Sequence, residues 1–471
     1  MVQKKTTFAL FLGNRGFFPA SLMDAARKEL PGLLKAWGHD TILLPANATR
    51  HGAVETSREG EIYADFLREN RGKFGGVILS LPNFGDETGA IAALKDAGVP
   101  ILIQAYPDDL DQMGPAVRRD SFCGKFSIMD VFYQYGLRFT ALKPHVVRPS
   151  SDAFRRNVDF FDRVCRVVNG MKGMVVGAIG ARTTAFKTVR TDEIALQRHG
   201  ITMETLDLAG VLARMKDVKT TDAAYKAKAD ALKRCASWDK APDGAFESIV
   251  KLGVVLDAII DEYRMHAIAV RCWLELQEQL GISPCILLGE LNDRGIPAAC
   301  EVDVSNAVAM HALSLASDGP PACLDWNNNY GDDENKCILF HCGPVPPSMM
   351  TGKGTIEDHA ILANAVGKGA GYGCNVGRIA PGDFTLGSLV TEAGKLKFYL
   401  GHGVFTTDPV PADFFGCAGV AHIERLQDLL LYIGLNGYRH HVSVTPGCIQ
   451  EPVREAFERY LDFEVAVPQR G

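Results

Sequence analysis

Thr7-Phe8-Ala9-Leu10-Phe11-Leu12 is an apolar run that ends abruptly at Gly13-Asn14-Arg15-Gly16. Three further runs of the same kind lie at residues 41–44, 76–81 and 101–105. Short, largely apolar runs mark strands covered on both faces, as in a parallel sheet flanked by helices. Between the first two runs, Leu22, Met23, Ala26, Leu30, Leu33, Leu34 and Trp37 fall at helical spacing in spite of Pro31. Residues 62–71 and 88–97 carry similar patterns between the later runs. The alternation β-α-β-α-β predicts a parallel, doubly wound α/β domain over residues 1–168, flavodoxin- or Rossmann-like. At its head, Met1-Val2-Gln3-Lys4-Lys5 imitates the start of a secretory leader. The apolar run is only about seven residues long, and Asn14-Arg15-Gly16 stands where a small-residue cleavage site belongs, so a buried first strand is expected.

A second α/β domain is expected over residues 169–316. Met174-Val175-Val176-Gly177-Ala178-Ile179-Gly180 reads as its first strand. Residues 223–236 and 246–263 are helical by pattern, with Leu252, Val255, Leu256 and Ile259 on one face. Residues 285–288 and 296–300 read as further strands, and 304–315 as a helix that Asp303 or Ser305 can cap. From 317 to 471 the composition turns to Gly, Pro and short β-like runs at 337–340, 383–386 and 397–400, with one helix near 423–431. That predicts a β-rich, barrel-like C-terminal domain.

Composition excludes more than it names. Of 471 residues, 47% are hydrophobic and 23% charged, enough apolar material for sizeable cores. Lys plus Arg is 50 against 56 Asp plus Glu, a net charge of −6, so no strong basic excess points to nucleic acid or an anionic membrane. No apolar stretch approaches the roughly 18 residues of a membrane span. The twelve cysteines form no C-x-x-C pair, and several sit in apolar runs, as free thiols in a reducing, cytoplasmic setting would.

Gly177-x-x-Gly180 lacks the third glycine of a dinucleotide fingerprint, and Gly367-Lys368-Gly369-Ala370-Gly371 lacks the following Ser or Thr of a phosphate loop. The informative residues lie further on. Glu301 follows the run Ile296-Pro297-Ala298-Ala299-Cys300, at the carboxyl edge of a strand, where open α/β sheets place their sites; alone, a Glu there caps or is solvated. Asp325 sits in Leu324-Asp325-Trp326-Asn327-Asn328-Asn329-Tyr330-Gly331, among amide and ring groups suited to a polyol, or merely in an Asx turn. His341 ends the run Ile338-Leu339-Phe340. His440 and His441 form a pair whose rings, on a strand, point to opposite faces. Two carboxylates and two imidazoles suit one divalent ion: oxygen ligands favour Mg²⁺ or Mn²⁺, and imidazole shifts the balance toward Mn²⁺.

These residues carry a resemblance. Cys272-Trp273, Ala299-Cys300-Glu301-Val302-Asp303, Leu324-Asp325-Trp326-Asn327-Asn328-Asn329-Tyr330-Gly331, Phe340-His341-Cys342, Pro381-Gly382-Asp383-Phe384-Thr385-Leu386-Gly387 and Arg439-His440-His441 are similar to motifs of the L-fucose isomerase and L-arabinose isomerase superfamily. The likeness is best between residues 267 and 450; the amino-terminal third agrees in architecture more than in motif. Asp rather than Glu at 325 leans toward the fucose branch, while His341 and the His pair lean toward the arabinose branch. The chain resembles a divergent, isomerase-like member, and no particular sugar transfers to it.

The resemblance implies that Glu301, Asp325 and His441, with His341 ranked just below them, ligate Mn²⁺ or a stand-in such as Mg²⁺ or Co²⁺. It makes Glu301 and Asp325 an acid/base pair for aldose–ketose isomerisation of an open-chain sugar through a cis-enediol. Trp326 is then expected to stack on the sugar, and Asn327 and Asn328 to bond its hydroxyls. The family's shared sites imply a homo-oligomer, trimer or hexamer, in which a neighbour's first domain helps close the site. Arg15 or Lys125, and likewise Arg190, would then meet a polar or anionic end of the substrate. Two other classes of function fit the same residues: a metal-dependent aldolase or epimerase, and a non-catalytic sugar-binding module.

Overall fold

The computed structural model describes residues 4–470; Met1, Val2 and Gln3, the head of the leader-like stretch, and Gly471 lie outside them. The chain forms two compact units: Lys4–Asn169 with Glu455–Leu461, and Gly170–Arg454 with the segment from Asp462 onward.

In the amino-terminal unit four strands run in the order Thr41–Leu43, Phe8–Leu12, Gly76–Leu81 and Ile101–Ala105, every pairing parallel. Phe8–Leu12 and Gly76–Leu81 are buried at every position, which is why their sequences do not alternate. The helices Ser21–Ala36, Ser57–Glu69 and Glu87–Leu94 connect them. The first accommodates Pro31 and buries Met23, Ala26, Leu30 and Leu34, one stripe at a period near 3.6.

The second unit holds a parallel sheet and a barrel. The sheet order is Thr202–Leu206, Val175–Ile179, Ala267–Val270, Ala298–Cys300. The strand expected at 285–288 is instead the start of the helix Cys285–Asp293. Cys285 through Asn292 are all buried, Glu290 and Asn292 included, so the helix has no solvent face and periodicity could not betray it. The barrel has six antiparallel strands. Lys395–Phe405 pairs with Gly382–Glu392, then follow His441–Pro446, Ala322–Asn329, Lys336–His341 and Cys417–His422. Pairing of Val404 with His422 closes the ring, which leaves these strands no free edge there. Leu324, Leu339, Phe384, Leu386, Tyr399, Val442 and Val444 fill its core.

The helix Val304–Ala316, buried along almost its whole length, packs on the barrel strands Gly382–Glu392 and His441–Pro446. It also packs on the parallel strands Val175–Ile179 and Ala267–Val270. Whatever sits at its amino end is therefore fixed against both sheets. All twelve cysteines are free, and among the described residues no helix is long and apolar enough to cross a membrane.

Candidate active site

The amino end of that helix is where the site is built. The strand Ala298–Cys300 ends, and Glu301 (φ 62°) and Val302 (φ 59°) both take left-handed backbone before Asp303 caps the helix by accepting from Asn306 N at 3.1 Å. Two consecutive non-glycine residues in that region cost of order 1–3 kcal/mol each, and such strain persists only where the surroundings enforce it. Here Val302 N donates to Val270 O at 3.2 Å and Asp303 N to Cys300 O at 3.0 Å. The turn swings the Glu301 carboxylate out over the sheet edge, where Trp273 Nε1 donates to Oε1 at 2.9 Å.

The barrel supplies the other groups. Asp325 and His441 are directly opposed across the antiparallel strands Ala322–Asn329 and His441–Pro446, so their side chains share a face. His441 Nε2 lies 2.9 Å from Glu301 Oε2 and 3.5 Å from Asp325 Oδ1. On its far side His441 Nδ1 faces Asp303 Oδ2 at 2.8 Å; the carboxylate assigns the ring proton to Nδ1, leaving the Nε2 lone pair for the site. Asp303 is itself pinned by the Arg439 guanidinium and by Asn306 Nδ2 at 2.9 Å. His341 ends its strand close enough that Glu301, His341 and His441 each offer a ligand atom within 4.8 Å of the others. Asp325, His440 and His441 do the same.

Four buried atoms here have no hydrogen-bond partner: Glu301 Oε2, Asp325 Oδ1, His341 Nε2 and His441 Nε2. The 2.9 Å between Glu301 and His441 is not aligned as a hydrogen bond. Two ligands at right angles on a small divalent ion stand about 3.0 Å apart, so the spacing fits a shared cation. The electrostatics agree. Burial pulls the His441 imidazole down, but Asp303 and Glu301 more than offset it and push it up to about 9. Burial raises the Glu301 carboxyl, yet its contact with His441 and the charges of His441 and His341 hold it below the usual range. Burial likewise raises Asp303, and Arg439 with His441 holds it far down. The cage stabilises positive charge at its centre. His341 differs from His441, because Cys342 N donates to its Nδ1 at 2.9 Å; its neutral form therefore presents an Nε2–H to the site.

The cluster opens on a cavity of about 260 Å³ lined by Trp273, Glu301, Asp325, Phe340, His341 and Cys342, with His359, Ile361 and Leu362 beyond. Phe186 packs on Trp273, His440 and His441. His440 precedes the strand rather than lying on it, which corrects the expectation of opposed rings. Its Nε2 is 3.8 Å from Asp325 Oδ1, and its ring centroid 4.5 Å from that of His441.

The remaining expected residues each have surroundings of their own. Trp326 points to the opposite face from Asp325, packs on the barrel core and donates Nε1 to Tyr399 OH at 3.2 Å, which removes it from stacking on a sugar. Asn327 is the residue skipped by the ladder at a bulge, and both it and Asn328 are exposed. Arg190 is exposed beyond Phe186. In the amino-terminal unit, Arg15 covers the Phe84 ring, donates to Gly85 O at 2.7 Å and pairs with Glu87. Lys125 is buried, donates to His145 O at 2.7 Å and is pulled down to about 8 by that burial, so it does not stand as a solvated cation. Sequence reasoning missed Asp303 as the carboxylate behind His441, and missed Arg439 and Trp273 as positioning groups. Asp303 did carry a signal, but only as a helix cap.

Two family models match the chain: "Fucose/sulfoquinovose isomerase, N-terminal domain" over residues 9–172 and "L-fucose isomerase, C-terminal domain" over residues 339–468. Together they span more than half of it. A protein of Priestia aryabhattai named sulfoquinovose isomerase is 20% identical over 416 residues, 88% of this chain and 90% of that one. Proteins of the same name from Alkalicoccus urumqiensis and Clostridium sp. (strain MSTE9) are 22% and 24% identical. Those two matches cover 59% and 54% of this chain, and 61% and 59% of the relatives' own lengths.

Proposed function

The chain belongs to the fucose isomerase-like family, and from that membership we propose that it is an aldose–ketose isomerase working at the Glu301, Asp325, His341 and His441 cluster. The observation that carries this reading is the convergence of four buried, unpartnered polar atoms from four separate places in the chain.

Isomerisation moves one hydrogen between C2 and C1 through a cis-enediol. Glu301 and Asp325 divide the proton work: one carboxylate takes the C2 proton and returns it to C1, the other carries the hydroxyl proton between O2 and O1. Trp273 holds Glu301 by Oε1 and leaves Oε2 facing the site. Asp303 and Arg439 hold His441 in the tautomer that offers Nε2 as a ligand. His341, through Nε2–H, donates to a sugar oxygen, and takes a ligand position only in its other tautomer. A divalent cation held by Glu301, Asp325 and His441, Mn²⁺ first and Mg²⁺ or Co²⁺ in its place, would supply Lewis-acid polarisation of the sugar's O1 and O2.

The relatives' name favours a 6-sulfonated hexose as substrate. A 6-deoxy sugar is the second reading, because Phe340, Ile361 and Leu362 line the cavity and, among the described residues, no Lys or Arg does. Arg190, exposed and four residues along the chain from Phe186, is the cation assigned in this reading to an anionic end of the substrate. A trimer or hexamer belongs to the same proposal.

The test is a panel of aldoses and ketoses, sulfoquinovose and L-fucose among them, incubated with Mn²⁺ in D₂O and followed by ¹H NMR. Aldose–ketose conversion with exchange at C2 is expected. Two fragments, or a second aldose without ketose, would make the enzyme an aldolase or an epimerase. Glu301→Gln and Asp325→Asn should each lower turnover by about 10²–10⁴-fold while the melting temperature stays near that of the wild type.

A further inference from the structure

The wall of the cavity beside His341 carries two thiols that the isomerase chemistry does not use. Cys342 follows the strand Lys336–His341, and Cys285, 57 residues earlier in the chain, opens the helix Cys285–Asp293. Their Sγ atoms are 3.4 Å apart. Both line the cavity, but they differ in access: Cys342 is half-buried, whereas Cys285 is 1% exposed. Cys300, wholly buried at the end of the strand Ala298–Cys300, brings a third sulfur within 4.8 Å of Cys342 Sγ.

The backbone enforces the approach of the first two. Gly343 (φ 141°) follows Cys342 in a conformation that side chains rarely adopt. A Cβ there would lie 3.1 Å from Cys285 Cβ and 2.5 Å from Asn375 N, so glycine lets the chain after Cys342 run close against the start of the helix. A disulfide holds its sulfurs about 2.0 Å apart, so the pair must close by about 1.4 Å, within reach of modest rotations about the two Cα–Cβ bonds. A thiol open to a cavity, with a second thiol in contact behind it, is the arrangement of oxidant-sensing cysteines. Thiols that only fill space need neither the opening nor the partner.

We propose that Cys342 and Cys285 are a reversible, peroxide-responsive dithiol–disulfide pair in the cavity wall. Cys342 Sγ attacks hydrogen peroxide: an S–O bond forms, the O–O bond breaks, and the departing hydroxide takes the thiol proton and leaves as water, giving a sulfenic acid. Cys285 Sγ then attacks Cys342 Sγ: the S–S bond forms, the S–O bond breaks, and a second water carries off the Cys285 proton. The two thiols together lose one electron pair, and the peroxide is reduced to two waters. A thiol reductant reverses the bond by exchange. The link ties the residue after His341 to the helix Cys285–Asp293. Cys342 N donates to His341 Nδ1 at 2.9 Å and Cys342 Sγ lies 3.2 Å from the same atom, so turning that sulfur toward Cys285 alters what fixes His341. Oxidation therefore lowers turnover, a consequence that rests on the isomerase reading; the disulfide itself does not rest on it.

The test treats the reduced full chain, with no metal added, with a slight molar excess of hydrogen peroxide. Remaining thiols are then blocked under denaturing conditions and disulfides mapped by mass spectrometry. The expected product is a Cys285–Cys342 link within one chain, with the loss of both thiols to alkylation and their return on treatment with dithiothreitol. This mapping of the wild type needs no variant to fold. In Cys285→Ser, dimedone should trap the sulfenic acid on Cys342, and Cys448→Ser should leave the link unchanged. Turnover, assayed with Mn²⁺ once peroxide is removed, should fall in proportion to the linked fraction and recover with the reductant. The proposal is overturned if Cys285 and Cys342 stay reduced at a peroxide dose that oxidises the exposed Cys123 and Cys448, if Cys342 joins Cys300 instead, or if the linked protein turns over as fast as the reduced one. Reduced protein that isomerises no sugar would count against the isomerase reading, and the mapped link would still decide for or against the pair.

Discussion

His441 acts through a partner that it meets across a long loop of chain. Asp303 Oδ2 holds its Nδ1 at 2.8 Å, and Arg439 holds Asp303, so the direction of one lone pair depends on three buried side chains. Replacing Asp303 by Asn should weaken Mn²⁺ binding by about 10–100-fold, read by calorimetric titration. It should also lower stability by about 3–5 kcal/mol, because the Arg439 charge is left buried and unpaired. Unchanged Mn²⁺ affinity in a folded Asp303→Asn protein would remove Asp303 from the positioning of His441. At this scale Glu301 and His341 stood out in the sequence because each follows or ends an apolar run, Asp325 by its amide and ring neighbours, and His441 as one of a pair, chosen over its neighbour only through the family resemblance. Asp303 was legible only as a cap: its second role rests on a contact 138 residues away that no local spacing reveals.

Strand alternation decides which of two neighbouring residues reaches the site. Asp325 faces His441, and so Trp326 must face the barrel core, where its indole meets Tyr399. Trp326→Ala should therefore cost about 2–4 kcal/mol in denaturant unfolding and leave KM for the sugar nearly unchanged. A raised KM with undiminished stability would return Trp326 to the substrate. The motif around Asp325 suggested sugar contacts because its composition is polar and aromatic, but composition carries no information about which face a side chain takes. The helix Cys285–Asp293 failed for the complementary reason, since an element buried on all sides has no period to read.

Across the whole molecule, two parallel α/β sheets and a β-rich region were legible from apolar runs and turn residues. Closure of the barrel was not, because pairing of Val404 with His422 depends on the tilt of six strands and not on any one of them. Stability couples the two sheets of the second unit through the helix Val304–Ala316, which buries His311. Burial pulls the His311 imidazole down to about 4 from an ordinary 6.5, although Nε2 lies 3.3 Å from Gly170 O. Between those values the unfolded chain binds a proton that the folded protein refuses. Stability is therefore whole above pH 6.5 and is lost as pH falls toward 4, by about 3 kcal/mol from this group. His311→Gln should flatten that stretch of the stability–pH curve, measured by urea unfolding; an unchanged slope would assign the acid sensitivity to other groups.

The most direct measurement is an anomalous difference map from crystals of the reduced protein grown with Mn²⁺. The account predicts a peak bonded at about 2.0–2.3 Å to Glu301 Oε2, Asp325 Oδ1 and His441 Nε2. Saturating Mn²⁺ with no density between those three atoms, and ions only on surface carboxylates, would contradict it.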